Sequence, residues 1–169
     1  MDKEKLIIGV DPASVGNVGF GVVTKNDRGI YNVRTCCDWP LIGNSFVRRM
    51  KFVFEELPFI LPKNAESAYI EISTIRGRGN AAFQQGIGAL SYIVYGYTYR
   101  EPVQIYAATV KKFFKAKDKE AVYRGARNYV DKASKFVLDN AWKQGNHNAT
   151  DAVAIAIAGH ELNGEKGQE

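Results

Sequence analysis

Apolar residues recur along the chain in two patterns, as short unbroken runs and as longer segments with helical spacing. The short runs are bounded by turn-forming residues, such as Asn-Asp-Arg-Gly at residues 26–29, and they predict buried strands. The predicted strands cover residues 6–11, 17–24, 30–37, 68–72 and 103–106. The first three follow one another closely, which favours an antiparallel meander.

The segments with helical spacing lie between and after the later strands. Asn44 or Ser45 is suited to cap a helix that ends near Leu57. Further helices are predicted at residues 80–97, 109–115, 118 to about 141 and 148–161, and the polar tail from Asn163 is expected to fray. This order predicts an α/β fold: a mixed five-stranded sheet, with a three-stranded antiparallel meander and parallel strands, flanked by helices. Residues 1–169 are expected to form a single domain.

Composition and charge narrow the class of protein. The net charge of +5 and the isoelectric point near 9.1 favour an acidic partner such as nucleic acid. Apolar runs such as residues 152–158 are too short to span a bilayer, and the first residues do not fit a signal peptide. Adjacent Cys36 and Cys37 are expected to be packed strand residues. We therefore expect a cytoplasmic, DNA-associated protein.

Acidic residues stand at positions that the predicted fold brings together. Asp11 ends the first strand and Glu71 lies near the end of the fourth, and these strands are expected to be neighbours where the strand order reverses. Asp151 lies in the first turn of the last helix, where the helix dipole favours a carboxylate. Each acid alone also fits an ordinary turn or helix end. Together they would repel one another unless a cation lay between them, and oxygen ligands suit Mg²⁺ or Mn²⁺.

Basic residues flank these acids on both sides along the chain. Arg76 and Arg78 lie on a glycine-containing loop just after Glu71. A lysine-rich segment follows the fifth strand and includes Lys111, Lys112, Lys117 and Lys119. Such clusters are often only solvated surface, but their placement beside the acids suits contact with a phosphate backbone. We predict that these arginines and lysines bind DNA.

Four segments, in the same order and at similar distances, resemble RuvC-type Holliday junction resolvases of the ribonuclease-H-like superfamily. They are residues 8–14 with 19–22, residues 69–71 with the following helix at 80–86, residues 106–112, and residues 151–156. The resemblance covers nearly the whole chain. It implies a homodimer with a ribonuclease-H-like fold that binds a four-way DNA junction and nicks two opposing strands symmetrically.

The resemblance also implies active-site roles. Asp11, Glu71 and Asp151 would be the catalytic metal ligands for two Mg²⁺ ions, with Mn²⁺ as a substitute, which suits phosphodiester hydrolysis. The family usually has an acid or a histidine three positions before the last aspartate. That position is Asn148 here, with His147 one residue earlier, and both share a helical face with Asp151. We expect His147 to bind metal or position water, while Asn148 caps the helix, and the reverse assignment stays open.

A second departure from the family concerns junction opening. An aromatic residue usually follows the strand-four glutamate by three positions, whereas this chain has Thr74 and then Ile75. Apolar side chains can part a base step, so Ile75 is the expected wedge.

These observations predict a Mg²⁺-dependent, structure-selective DNA endonuclease that resolves Holliday junctions by paired nicking. The helix at residues 80–97 is apolar on more than one face and is the expected dimer interface. One alternative is a non-catalytic module that binds branched DNA. Another is a fragment of an actin-like phosphotransferase, whose first phosphate loop resembles Asp11 with the glycines at 16, 19 and 21, but 169 residues leave no room for its second domain.

Overall fold

A five-stranded mixed sheet forms the centre of the protein in the computed structural model, which describes residues 5–13, 16–72 and 79–164. The strands are β1 (Leu6–Asp11), β2 (Asn17–Lys25), β3 (Tyr31–Pro40), β4 (Ala65–Ile72) and β5 (Val103–Tyr106). Their order in the sheet is β3-β2-β1-β4-β5. β1, β2 and β3 pair antiparallel, whereas β4 pairs parallel with β1 and with β5. The predicted α/β sheet with its antiparallel meander is confirmed.

Helices cover both faces of this sheet. They are α1 (Phe46–Ile60), α2 (Gly79–Thr98), α3 (Ala107–Phe113), α4 (Lys119–Arg127), α5 (Lys132–Lys143) and α6 (His147–Gly164). One core cluster joins α1 and α2 to the sheet face that carries Ile8 and Val10. A second cluster joins α3, α4, α5 and α6 to the opposite face, which carries Ile7 and Tyr69.

Helix α6 lies close to the sheet because glycines stand beneath it. A Cβ added at Gly9 would come within 2.0 Å of the carbonyl oxygen of Ala152, and one at Gly21 within 2.6 Å of the backbone nitrogen of Val153. Residues 149–159 are all buried, since α4 and α5 pack on α6 from the other side. The glycines of β2, which the phosphotransferase alternative would use for a phosphate loop, instead make room for this helix.

Several boundaries differ from the sequence predictions. β3 continues past Cys37 to Pro40, and the single helix predicted at residues 118–141 is the pair α4 and α5. The helix breaks because Val130 forms a parallel bridge with Tyr31, after which Asp131 caps α5 by accepting a hydrogen bond from the backbone of Ser134. At the other end, α6 includes Asn163, where fraying was expected, and the side chain of this residue donates to the carbonyl of Gly159 at 2.8 Å.

The two cysteines are half-buried residues of β3 with free thiols, which confirms their expected packing role. Burial raises the pKa of Cys36 to about 12 and that of Cys37 to about 11, which favours the protonated thiols at neutral pH. Among the helices of the described residues, none combines the length and the apolar character needed to cross a membrane.

Candidate carboxylate active site

Acidic side chains meet at the end of the sheet where the parallel strands β1 and β4 finish. Val10 of β1 pairs with Ile70 of β4, and the next residues along these parallel strands are Asp11 and Glu71. The two acids therefore lie on neighbouring strands at the same level. By strand alternation they point to the face that α6 covers, as do Gly9 and Tyr69, which both contact that helix. The sheet therefore places the first two predicted site residues side by side.

The third predicted acid, Asp151, approaches from α6. It is the fifth residue of the helix and is only 7% exposed. It lines a cleft of about 120 Å³ together with Glu71 and two lysines, Lys111 and Lys119. The structure thus brings Asp11, Glu71 and Asp151 into one electrostatically coupled group.

Burial and mutual repulsion make these carboxyl groups hard to ionise. Burial raises the pKa of Asp11 well above its usual range, and the charges of Glu71 and Asp151 raise it further. Burial and the charge of Asp151 raise the pKa of Glu71 to about 7, against the opposing effect of Lys119. Burial also raises the pKa of Asp151, although a hydrogen bond from Lys119 acts in the other direction. The group needs nearby positive charge to be fully ionised at neutral pH.

Lys119 supplies part of that charge from α4. Its Nζ donates to Oδ2 of Asp151 at 2.6 Å. Burial alone would lower the pKa of Lys119, but the hydrogen bond to Asp151 and the other carboxylates raise it above its usual value. This predicted DNA-binding residue therefore lies within the acidic group. Lys111 lines the same cleft, and Lys112 and Lys117 are exposed nearby in the chain.

The donor set has the chemistry of a hard divalent cation site, although its side chains are not arranged around one point. Among the residues that the structure describes, no group of three or more acidic, histidine or cysteine side chains has a metal-binding arrangement. Lys119 already contacts Oδ2 of Asp151, so an ion bound to that oxygen would have to displace this ammonium group. Three carboxyl groups with raised pKa values, two of them half-buried and one buried, nevertheless form an environment that a divalent cation would stabilise.

Asp38 is a fourth acid beside this group, and the sequence analysis did not identify it. Gly19 pairs with Asp11 on one side and with Asp38 on the other, so both acids lie at the same level of the sheet. Oδ1 of Asp38 accepts a hydrogen bond from the backbone N–H of Ala149, in the first turn of α6. Asp38 therefore caps α6 from a neighbouring strand. The predicted third strand ended one residue too early to include it.

His147 and Asn148 begin α6 and make different contacts. Burial raises the pKa of both Asp38 and Asp151, and a positive charge on His147, one helical turn from Asp151 on α6, would act in the opposite direction. The side-chain amide of Asn148 donates to the carbonyl oxygen of Asn17 at 3.1 Å and so ties α6 to the start of β2. The expected capping role of Asn148 belongs to Asp38 instead.

Some predicted residues cannot be placed in this site, and one cavity lies away from it. Ile75, Arg76 and Arg78 lie outside the described residues. A larger cavity, of about 370 Å³, is lined by Tyr92 and Tyr95 of α2 and by Glu101, Pro102 and Gln104 near the start of β5. It shares no lining residue with the cleft beside Glu71 and Asp151.

Comparison with known proteins gives a consistent fold and no match in sequence. No protein-family model matches the chain, and no curated protein matches it. RuvC from T. thermophilus, solved in complex with a Holliday junction substrate, is 18% identical with a TM-score of 0.65, over 96% of each chain. A second structure of Thermus thermophilus RuvC is also 18% identical, with a TM-score of 0.66 over 96% of each chain. The yeast mitochondrial Holliday junction resolvase Ydc2 is 11% identical with a TM-score of 0.59, over 89% of this chain and 77% of that one. Over nearly its whole length, the chain therefore has the ribonuclease-H-like fold of RuvC.

Proposed function

We propose that this protein is a Mg²⁺-dependent DNA endonuclease that resolves four-way junctions by paired nicking. The observation that carries the proposal is the meeting of three carboxyl groups, half-buried Asp11 and Glu71 and buried Asp151, at the end of β1 and β4. A fold shared with a RuvC that was solved on a Holliday junction supports the choice of substrate.

In this proposal Asp11, Glu71 and Asp151 hold two divalent ions, Mg²⁺ or Mn²⁺. When bound, the ions make water a better nucleophile at neutral pH and stabilise charge on the leaving oxygen. Without bound ions, the hydrogen bond from Lys119 would favour the ionised form of Asp151 against the effect of burial. With Asp151 holding an ion, the ammonium of Lys119 would be available to bind phosphate oxygens of DNA.

His147 orients or deprotonates the attacking water. Its imidazole stands near Asp151, one helical turn away along α6, and can accept a proton on a ring nitrogen. We assign this role to His147 rather than to Asn148 because the side-chain amide of Asn148 already donates to the carbonyl oxygen of Asn17.

DNA would approach along the lysines beside the cleft. Lys111 lines the cleft, while Lys112 and Lys117 are exposed on α3 and on the turn that follows it. Phosphate contacts from such lysines are independent of sequence and suit recognition of a branched backbone. Arg76, Arg78 and the wedge Ile75 remain predicted contributors.

A homodimer would supply the two active sites that paired nicking needs. Helix α2 buries one face against the sheet through Ile87, Leu90 and Val94. Its other face leaves Tyr92 76% exposed and Tyr95 48% exposed, and a Cβ at Gly88 would meet open space. Exposed aromatic and small residues on one helix suit a two-fold helix contact. Light scattering of the full chain, free and bound to a junction, tests this assembly.

The central test is cleavage of a synthetic four-way junction, labelled on each strand in turn. We expect metal-dependent nicks at symmetric positions in two opposing strands, with no cutting when the ions are chelated. A linear duplex containing the same sequences is the matched control and should stay intact. Tight junction binding without cleavage at any Mg²⁺ or Mn²⁺ concentration would contradict the proposal and favour the non-catalytic binding module.

A further inference from the structure

Three aromatic rings from three helices stack together beside the carboxylate group. The ring of Tyr123, on α4, lies against the indole of Trp142, on α5, with centroids 4.6 Å apart and planes inclined by 10°. The indole also stacks on the imidazole of His147, the first residue of α6, at 4.2 Å and 22°. Trp142 therefore links the proposed catalytic histidine to two neighbouring helices.

The end of the stack away from the acids is held by a polar anchor. The hydroxyl of Tyr123 donates to Oδ1 of Asp139 at 2.5 Å. Arg127 donates to both oxygens of the same carboxylate, at 2.8 and 3.1 Å. These contacts join α4 to α5 and fix the orientation of the Tyr123 ring, against which Trp142 rests.

At the other end of the stack lies His147, whose side chain would rotate freely without this contact. His147 is exposed and follows a turn in which Gly145 has a φ of +80°. An exposed histidine samples several rotamers, and each unproductive rotamer takes the imidazole away from its proton-transfer partner. Stacking on a half-buried indole restricts the imidazole to one region, and the spacing along α6 places His147 one helical turn from Asp151.

We propose that Trp142 is a positioning residue for DNA cleavage: its indole holds the imidazole of His147 beside Asp151. The inference rests on the proposed function, in which His147 orients or deprotonates the attacking water. In this role Trp142 affects the cleavage rate only through His147. Its effect on the rate can therefore be distinguished from a general contribution of Trp142 to folding.

A double-mutant cycle of single-turnover cleavage rates tests this dependence. Trp142→Ala should slow cleavage by about 10- to 100-fold without weakening junction binding, because a misplaced catalytic group lowers the rate of the chemical step. In a chain that already carries His147→Ala, the same change should have no further effect. Trp142→Phe keeps an aromatic face and should recover most of the rate. Phe136→Ala removes another aromatic residue of α5, 68% exposed and outside the stack, and should leave the rate unchanged.

A spectroscopic measurement tests the stack independently of activity. The chain has two histidines, His147 and His160, so their ring resonances can be assigned by substitution. Stacking on the indole should shift the ring protons of His147 upfield, and Trp142→Ala should remove this shift while the resonances of His160 stay in place.

The outcomes distinguish this inference from the proposed function. Equal rate losses from Trp142→Ala in both backgrounds, a normal rate for Trp142→Ala, or a His147 resonance that ignores the substitution would each overturn the positioning role. A wild-type protein that binds junctions but never cuts them would instead overturn the proposed function, and the resonance shift would still decide whether Trp142 orients His147.

Discussion

Asp11 and Asp38 flank Gly19 at one level of the sheet, yet their contacts separate their roles. Asp38 accepts a backbone hydrogen bond from Ala149, and its side chain is also bonded to that of Asn17. Asp11 instead faces the charges of Glu71 and Asp151, which raise its pKa beyond the effect of burial. Asp38 is therefore engaged in holding α6, whereas Asp11 is the acid that we propose binds a cation.

Asp11→Asn should abolish cleavage while junction binding survives. The amide preserves the shape of the side chain but removes the charge that would hold the ions, whereas binding depends mainly on lysines and arginines elsewhere. Cleavage of a labelled junction and a gel-shift titration of the same variant measure the two properties. Undiminished nicking would rule out Asp11 as a metal ligand.

Asp38→Ala should lower the free energy of unfolding by about 1 kcal/mol, the usual effect of losing a helix cap. Asp38→Asn keeps an oxygen that can accept the hydrogen bond from Ala149 and should lose much less. Asn148→Ala is the comparison for the opposite assignment, since the amide of Asn148 donates to β2 and does not cap α6. Chemical denaturation ranks the three variants by their free energy of unfolding. A larger loss for Asn148→Ala than for Asp38→Ala would return the capping role to Asn148.

Helix α6 shows how elements, rather than single residues, build the site. Its buried faces leave no amphipathic stripe, because the sheet lies on one side and α4 with α5 on the other. Glycines on β1 and β2 bring its backbone against the sheet and thereby bring Asp151 to Asp11. The distance between these two acids therefore depends on glycines, whose lack of a side chain lets α6 approach the sheet.

Gly19→Ala should destabilise the protein by several kcal/mol and reduce cleavage more than a surface substitution would. The added Cβ would lie 2.0 Å from the carbonyl oxygen of Asn148, so the first turn of α6 must shift away from the sheet. Gly96→Ala in α2 is a suitable control, since nothing lies within 4 Å of its added Cβ and alanine favours a helix by roughly 0.5–1 kcal/mol. Thermal melts of both variants measure the difference. Equal melting temperatures would contradict the close packing of α6.

Across the fold, carboxyl groups with raised and with lowered pKa values lie in different places. The carboxyl groups of the site have raised pKa values. Asp131, which caps α5, and Asp139, within α5, instead have lowered values because hydrogen bonds stabilise their charged forms. Unfavourable burial of charge is thus concentrated where we propose that the ions bind. Such concentration is typical of functional sites.

Metal-free protein should lose stability as the pH rises from about 4.5 to about 7. The folded state raises the pKa of Glu71 from 4.5 to about 7, so it binds this proton more tightly than the unfolded chain does. The resulting stability is fully present below the unfolded pKa and is lost as the pH passes the folded pKa. Mg²⁺ or Mn²⁺ should therefore raise the melting temperature more at about pH 8 than at about pH 5. Glu71→Gln should flatten the pH dependence and weaken the response to metal. A wild-type response that is equal at both pH values would contradict a carboxylate metal site.

Substituting Lys111, Lys112 and Lys117 together with alanine should weaken binding to all branched DNAs and reduce its dependence on salt. Each lost phosphate contact removes roughly one unit from the slope of log affinity against log salt. Lys119 is left intact in this variant because it contacts Asp151 within the site. Fluorescence anisotropy across a salt series, with a substitution of exposed Lys51 as the control, gives the slopes. Wild-type affinity and slope would show that the three lysines are only solvated surface.

Local patterns in the sequence predicted most of the helices and strands, together with three acids that the fold places close to one another. Runs of apolar residues ending at Asp11 and near Glu71 define strands whose ends meet in any parallel pairing. The bend between α4 and α5 could not be predicted in this way, since it depends on the pairing of Val130 with Tyr31, nearly a hundred residues earlier.

The side chains that surround those acids could not be predicted in the same way, because they come from elements that are distant in sequence. The cap from Asp38 to Ala149, the ion pair of Lys119 with Asp151 and the stack of Trp142 on His147 each join different elements of the fold. Local periodicity states which face of an element is buried, but it carries no information about the partner that covers that face. Such contacts depend on how closely the elements approach, and here the glycines beneath α6 set that distance.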